Sequence, residues 1–221
     1  MAAPARGVNQ SDRDQLARGV AALSLELDAQ AMDRMLVYMA ELRRWNRRYN
    51  LVSGADMPAL VTRHLLDSLA VLPWVGPGRL LDVGTGAGLP GLVLAIARPD
   101  LECTLLDSAG KKTRFLRHVV RATGLDNTRI VNSRAQAFHD SDGFATICSR
   151  AFSSLADFVG AVQHLAGPET RLLAMKGRRP DAELAALPEG VVIDTVASVT
   201  VPDLRAERHI VIMSIPKPAG G

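Results

Sequence analysis

Lysine is scarce in this 221-residue chain: of 26 basic residues only Lys111, Lys112, Lys176 and Lys217 are lysines. There are two cysteines, Cys103 and Cys148, each inside a strand-like run. Two lone thiols without paired spacing make neither a disulfide framework nor a zinc site, so buried core thiols are expected and no metal is. No apolar run approaches the roughly 18 residues of a membrane span, and Met1 to Gly7 lacks an apolar signal region. A cytoplasmic protein without membrane contact is the expectation. The net charge of +3 is too small to imply nucleic acid by itself, so the distribution of charge matters more than its sum. With 48% hydrophobic residues, the chain can bury a core of one large domain, or of one domain with a small appendage.

What is present centres on residues 80–91. A short apolar run, Leu80 to Val83, reads as a buried strand, and Gly84, Gly86 and Gly88 follow at alternate positions before a helical pattern begins at Leu89. Glycine lets the backbone bend sharply and approach a ligand without a Cβ. A dinucleotide fingerprint, G-x-G-x-x-G counted from Gly84, would need glycine where Leu89 stands. The motif is instead D-x-G-x-G-x-G, and a carboxylate at Asp82 suits a cationic or zwitterionic ligand better than a pyrophosphate. One strand later, Glu102 to Leu106 ends in Asp107, placed where an acid can accept hydrogen bonds from ribose hydroxyls. Together these predict an S-adenosylmethionine (SAM) site, with Asp82 orienting the amino-acid end directly or through water. A glycine turn that only packs helix on sheet is the plainer alternative.

Along the chain, residues 1–11 are small and polar and are expected to be disordered or loosely attached. A helix is expected from about Asp12, with Leu16, Val20, Leu23, Leu25 and Leu27 apolar, and a second along the stripe Met32, Leu36, Met39, Leu42, Trp45 and Tyr49. Arg43, Arg44, Arg47 and Arg48 form two rows beside Trp45 and Tyr49. They read as a phosphate-binding patch with interleaved aromatics, or as a solvated helix end favoured by the dipole. In a further helix, His64 and Asp67 are three apart and can pair on one face; alternatively Arg63 and His64 form a substrate-facing edge. Pro73, Gly76, Pro77 and Gly78 mark a joint between a helical N-terminal part, residues 1–75, and an α/β part, residues 76–221. Strands are expected at 80–83, 102–106, 129–133, 144–149, 171–175, 191–199 and 208–214, with helices at 89–97, 110–123, 154–165 and 181–187. That alternation implies a seven-stranded, mostly parallel sheet with helices on both faces, its last two strands forming an antiparallel edge pair. Ligands bind beyond the carboxyl ends of such strands, where Asp82, Asp107, Arg134 to Gln136, Arg150 and Lys176 all fall.

Several segments together resemble one family. Trp45-Asn46-Arg47-Arg48-Tyr49-Asn50-Leu51, Arg63-His64-Leu65-Leu66-Asp67-Ser68, Asp82 to Gly91 with its Gly-Leu-Pro-Gly close, Leu106-Asp107-Ser108 with Lys111-Lys112, Ser149-Arg150-Ala151-Phe152 and Met175-Lys176-Gly177 are similar to RsmG, the bacterial small-subunit rRNA guanine-N7 methyltransferases. The likeness covers about residues 15–214. It implies the class I SAM-dependent methyltransferase fold with a helical N-terminal extension that faces RNA. It also implies cofactor contacts at Gly84, Leu89, Ala135, Gln136 and Arg150, beside Asp82, Gly86 and Asp107 from the residue reading. The implied partner is 16S rRNA, in the small subunit or its precursor, and the target is N7 of guanosine 527. Glutamine at 136, where the family usually has glutamate, can still hydrogen-bond an adenine edge, and Ala87 replaces a frequent proline. Guanine N7 has a lone pair and no proton, so attack needs no general base. Arg150, Lys176 and His64 are the expected catalytic residues only as positioning groups, and Arg43, Arg44, Arg47, Arg48 and Arg63 the expected RNA contacts. A small-molecule methyltransferase would share the glycine turn and Asp107, but not the arginine cluster.

Overall fold

The computed structural model describes residues 9–150 and 152–216. Most of the expected loose start, as well as Ala151 and Lys217, lies outside the described residues. Asn9, Gln10 and Ser11 correct the rest of that expectation: Asn9 caps helix α1 (Gln10–Ala22), its side chain accepting the Ser11 N–H. The helix stops before Leu25 and Leu27, because Ser24 takes a positive φ of 55° after the cap at Leu23. Helix α2 (Ala29–Tyr49) begins on Asp28, whose carboxylate accepts the Ala31 N–H at 2.6 Å, and ends on the left-handed Asn50.

After α2 come a 3-10 turn (Gly54–Ala59), a π-helical turn (Val61–Leu66) and the short α3 (Asp67–Leu69). Gly19 of α1 lets the two segments meet: a Cβ there would sit 2.3 Å from a Leu66 methyl. The α/β part then runs β1 (Arg79–Val83), α4 (Gly91–Ala97), β2 (Glu102–Leu106), α5 (Gly110–Thr123), β3 (Thr128–Val131), β4 (Thr146–Ser149), α6 (Leu155–Val162), β5 (Arg171–Lys176), α7 (Asp181–Ala185), β6 (Val192–Ser198) and β7 (His209–Ser214). All seven expected strands form, although several ends are trimmed, and α4 starts two residues later than the apolar pattern because Leu89 and Pro90 belong to the turn.

The sheet order is β3-β2-β1-β4-β5-β7-β6. The first five strands are parallel, while β7 pairs antiparallel with both β5 and β6, so β6 forms the outer edge. Strand β1 lies inside the sheet, between β2 and β4, and is buried from Leu80 to Val83, as its mostly apolar sequence requires. Alternate residues feed two cores. Leu80, Cys103, Leu105 and Cys148 face one core, with α1, α2, α4 and α5, whereas Leu81, Leu106, Ile147 and Val211 face the other, with α6. Both thiols are buried, and burial pushes the Cys103 thiol up to about 12. The first core runs unbroken from Leu16 through Met39 to Leu92 and Phe115. The joint at Pro73–Gly78 therefore separates element types, while packing crosses it. Reversing order at β1 and β4 leaves a crevice beyond the strand ends, and the loops that wall it come from both sides.

Candidate active site

The glycine turn is held from three directions. Gly84, Gly86 and Gly88 all take positive φ, 69°, 62° and 97°, which side-chain-bearing residues rarely adopt. At Gly88 a Cβ would also lie 2.7 Å from the Leu92 Cβ. From β2, the Asp107 carboxylate accepts the Gly86 N–H at 2.9 Å and the Ala109 N–H at 2.8 Å, with Lys112 Nζ at 3.3 Å. From α2, the buried Tyr38 hydroxyl donates to the Ala87 carbonyl at 2.9 Å, and burial raises the pKa of that phenol. From below, Asp82 accepts the Gly91 N–H at 2.7 Å. Asp82 is fully buried, and burial pushes its carboxyl up to about 6 despite the nearby Thr85 hydroxyl and Gly91 N–H. One Asp82 oxygen therefore clamps the start of α4 while Oδ1 has no hydrogen-bond partner among the described residues, and Asp82 is not among the residues that line the neighbouring cavity.

That wall encloses about 250 Å³ and includes Gly84, Asp107, Ser108, Ala135, Gln136 and Phe152. Four of the expected cofactor residues meet here, with Gly86 just behind them. Leu89 does not line it; the side chain is buried in the core, and its N–H donates to Thr85 O. Arg150 also lies elsewhere, in the neighbouring pocket. The donors and acceptors present fit a nucleoside cofactor. Asp107 Oδ1 keeps a lone pair beyond its bond from Ala109, whereas Oδ2 is shared between Gly86 and Lys112, and the Gln136 amide both donates and accepts.

A second pocket, about 320 Å³, is walled by Asp56, Arg63, His64, Asp67, Arg150, Met175, Lys176, Gly177 and Arg208. Its cations are all tethered, two of them by one carboxylate. Asp67, 3% exposed, receives Arg208 Nε at 2.6 Å and Arg150 Nη1 at 3.3 Å, one on each oxygen. Lys176 Nζ lies 2.7 Å from Glu183, whose Oε2 also accepts the Leu155 N–H at 2.8 Å. Arg63 pairs with Asp56 at 3.0 Å. The expected His64–Asp67 pair does not form. The π-helical turn spreads residues three apart away from a common face, and Asp67 is taken by two arginines. Neither ring nitrogen of the buried His64 is hydrogen-bonded among the described residues, and Asp56 comes only within 4.0 Å. Burial, aided by Arg150, lowers the His64 pKa to about 4, so the ring is neutral at physiological pH. Phe152 borders both cavities: it lines the first, and its carbonyl accepts from Lys176 Nζ, a wall residue of the second, at 3.4 Å.

The arginines of α2 divide. Arg43 makes two bonds to Asp12 of α1, at 2.5 and 3.0 Å, and Arg44 meets Glu41 at 2.7 Å and His118 at 3.0 Å. Arg47 and Arg48 are exposed and have no ion pair among the described residues; Arg48 sits 5.8 Å over the Tyr49 ring. The interleaved aromatics are engaged within the protein. Trp45 packs on Tyr49, Phe115 and His118 at 5.3 to 5.6 Å, docking α2 on α5.

Residues 31–211 match the family model described as rRNA small subunit methyltransferase G. The chain belongs to the rRNA small subunit methyltransferase G family. A Pseudomonas aeruginosa protein named ribosomal RNA small subunit methyltransferase G is 47% identical over 207 residues, covering 93% of this chain and 97% of the relative. The Nitrosospira multiformis protein of that name is 44% identical, over 90% and 95%. In fold, the chain is similar to an Aquifex aeolicus SAM-dependent methyltransferase, with TM-score 0.56 and 20% identity over 72% of this chain and 94% of the other. It is also similar to the glycopeptide N-methyltransferase MtfA complexed with SAM, with TM-score 0.56 and 14% identity over 69% and 94%.

Two residues that shape these cavities escape sequence reading. Arg208 is one of many arginines until folding brings β7 beside β5, 141 positions from Asp67. Tyr38 belongs to an apolar stripe, and nothing local reveals that its hydroxyl holds the glycine turn. No helix of the described residues is long and apolar enough to cross a membrane, and among them no group of three or more His, Cys, Asp or Glu is arranged to hold a metal ion.

Proposed function

We propose that this chain, acting in the cytoplasm, transfers a methyl group from SAM to N7 of a guanosine in 16S rRNA, at position 527 by the family resemblance. The observation that carries the reading is the position of Phe152, which lines a cavity suited to a nucleoside and whose carbonyl accepts from Lys176, a wall residue of the pocket that also holds Arg63, Arg150 and Arg208. Gly84, Asp107, Ala135 and Gln136 would hold the cofactor, which when bound supplies an electrophilic methyl on a sulfonium.

The protein's own contribution is position and charge. Guanine N7 has no proton to lose, so no side chain must act as base, and the neutral His64 ring can form part of the wall of the base pocket. Methylated guanine becomes cationic. A pocket of bare cations would oppose that change, but Asp67 offsets Arg150 and Arg208, and Glu183 offsets Lys176. The cations can thus meet RNA phosphate or guanine O6 without placing four uncompensated charges beside the product. Arg63 at the mouth is half exposed and free to trade Asp56 for a phosphate.

The test offers labelled SAM with free 16S rRNA, with small-subunit particles, or with small-molecule extract, followed by nucleoside mass spectrometry of the RNA. Label recovered as 7-methylguanosine is the expected result. Label on another atom, or only on small molecules, would overturn the reading.

A further inference from the structure

We propose that the rRNA backbone is carried away from the active site along α5, on a row formed by Lys111, Arg114, Arg117 and Arg121, with Arg47 and Arg48 of α2 beside it. This rests on the rRNA reading above and extends it to a surface outside both cavities.

The row is built into one helix face. Positions 111, 114, 117 and 121 follow one another by three, three and four, and all four side chains are exposed. The opposite face, Phe115, Leu116 and Val119, is buried in the core. None of the four cations has an ion pair among the described residues, and α5 contains no acidic residue. Such spacing ordinarily costs stability, because like charges three and four apart repel. Lys111 adds a cation at the helix start, where the dipole favours anions. A helix that breaks two local rules at once, with no internal compensation, is poised for an external polyanion.

Placement supports the same conclusion. α5 leaves the sheet rim directly after Asp107, and Lys112 in its first turn lines the 250 Å³ cavity. From 111 to 121 the row extends about 15 Å, enough to face several phosphates. α2 packs antiparallel to it, Arg34 meeting the Thr123 and Gly124 carbonyls at one end and Trp45 meeting His118 and Phe115 further along. The last turn of α2, with Arg47 and Arg48, therefore lies alongside the first half of α5. Between α5 and β3 an open groove of about 580 Å³ has Arg117 and Arg121 on its wall.

The experiment compares three full-length proteins: wild type, Arg114→Gln/Arg117→Gln/Arg121→Gln, and a control Arg18→Gln/Arg171→Gln/Arg205→Gln that removes the same charge from exposed positions elsewhere. Binding of 16S rRNA is measured at several salt concentrations, and SAM affinity by calorimetry verifies that each protein is folded. Each phosphate contact contributes roughly 0.7 to 0.9 to the log–log salt slope, so the α5 variant should lose about 2 while the control stays near wild type. Arg117→Gln alone should lose about 0.7 to 0.9. If the α5 variant and the control both run parallel to wild type, the row is only a solvated face and the proposal fails. Wild type that does not bind rRNA at any salt concentration would instead overturn the functional reading, and this inference with it.

Discussion

The smaller cavity is walled by residues between Val83 and Phe152, largely by turns and main chain, whereas the basic pocket gathers side chains from Asp56 to Arg208. The first owes its shape to positive-φ glycines and to a carboxylate that bonds N–H groups nearby in the fold. The second owes its shape to long cationic side chains, which hold a position only while buried carboxylates tether them. The difference predicts opposite weaknesses. The smaller cavity should fail by losing affinity for its proposed cofactor, and the basic pocket by losing organisation, with consequences for stability as well as for chemistry.

Asp67→Asn should have the largest effect. It removes one partner from Arg150 and Arg208 together, at a site 3% exposed. Losing one member of a buried pair costs about 3 to 5 kcal/mol; the arginines here retain some solvent, which places the expectation near 3 kcal/mol. Urea unfolding measures that loss, and single-turnover methyl transfer should fall severely while SAM affinity changes little. A variant as stable and active as wild type would show that the two arginines need no tether.

The next effect distinguishes the two buried titrating groups, one from each region. His64 has its pKa lowered to about 4, so between about pH 4 and 6.5 the unfolded chain binds more protons and stability rises with pH. Asp82, raised to about 6, works the other way: the folded chain retains its proton longer, and stability falls as pH climbs from about 4 to 6. His64→Gln should remove the rising contribution, a difference of roughly 2 to 3 kcal/mol across the window, leaving the decline due to Asp82. Unfolding midpoints from pH 4.5 to 7 that stay parallel for the two proteins would contradict the buried neutral ring. Because His64 is neutral above about pH 4, the methyl-transfer rate of either protein should show no titrating base between about pH 6 and 8.

Asp107→Ala should act on the other region. Hydrogen bonds to a charged group contribute about 1.5 to 3 kcal/mol, so SAM affinity should fall by roughly 10- to 100-fold. The Gly86 and Ala109 N–H groups also lose their acceptor, adding disorder in the turn to the lost ligand contact. Calorimetry showing unchanged affinity would remove Asp107 from the cofactor site.

The same contrast explains what was legible in the chain. Gly84, Gly86, Gly88 and Asp107 could be read because their roles follow from backbone conformation and from position at a strand end, both local properties. The seven strands could be read from short apolar runs for the same reason. Asp82 stood at the right place, but its direction depends on α4 packing close enough for Gly91 to reach it, where a Cβ at Gly91 would lie 2.6 Å from the Asp82 Cβ. His64 and Asp67 were spaced for an α-helix, and the local π-helical turn changed which groups face each other. Arg208 and Tyr38 act across 141 and 49 positions, and no periodicity carries such information.

The smallest effects concern the arginines at the end of α2, where adjacent side chains of one type divide between structure and surface. Arg43 is tethered bidentately to a mostly buried Asp12, so Arg43→Ala should cost about 1 kcal/mol and leave the salt dependence of rRNA binding unchanged. Arg47→Ala/Arg48→Ala should do the reverse. Stability should stay within about 0.5 kcal/mol because neither has an ion pair among the described residues, while the salt slope should fall by about 1 to 2. Removing all four should change the slope no more than that pair does, since Arg43 and Arg44 already face Asp12 and Glu41. Affinity measured over a salt series for the three variants separates the cases. A slope that drops with Arg43→Ala would mean that RNA competes successfully for a tethered arginine, and that the division between structural and RNA-facing cations at this helix end does not hold.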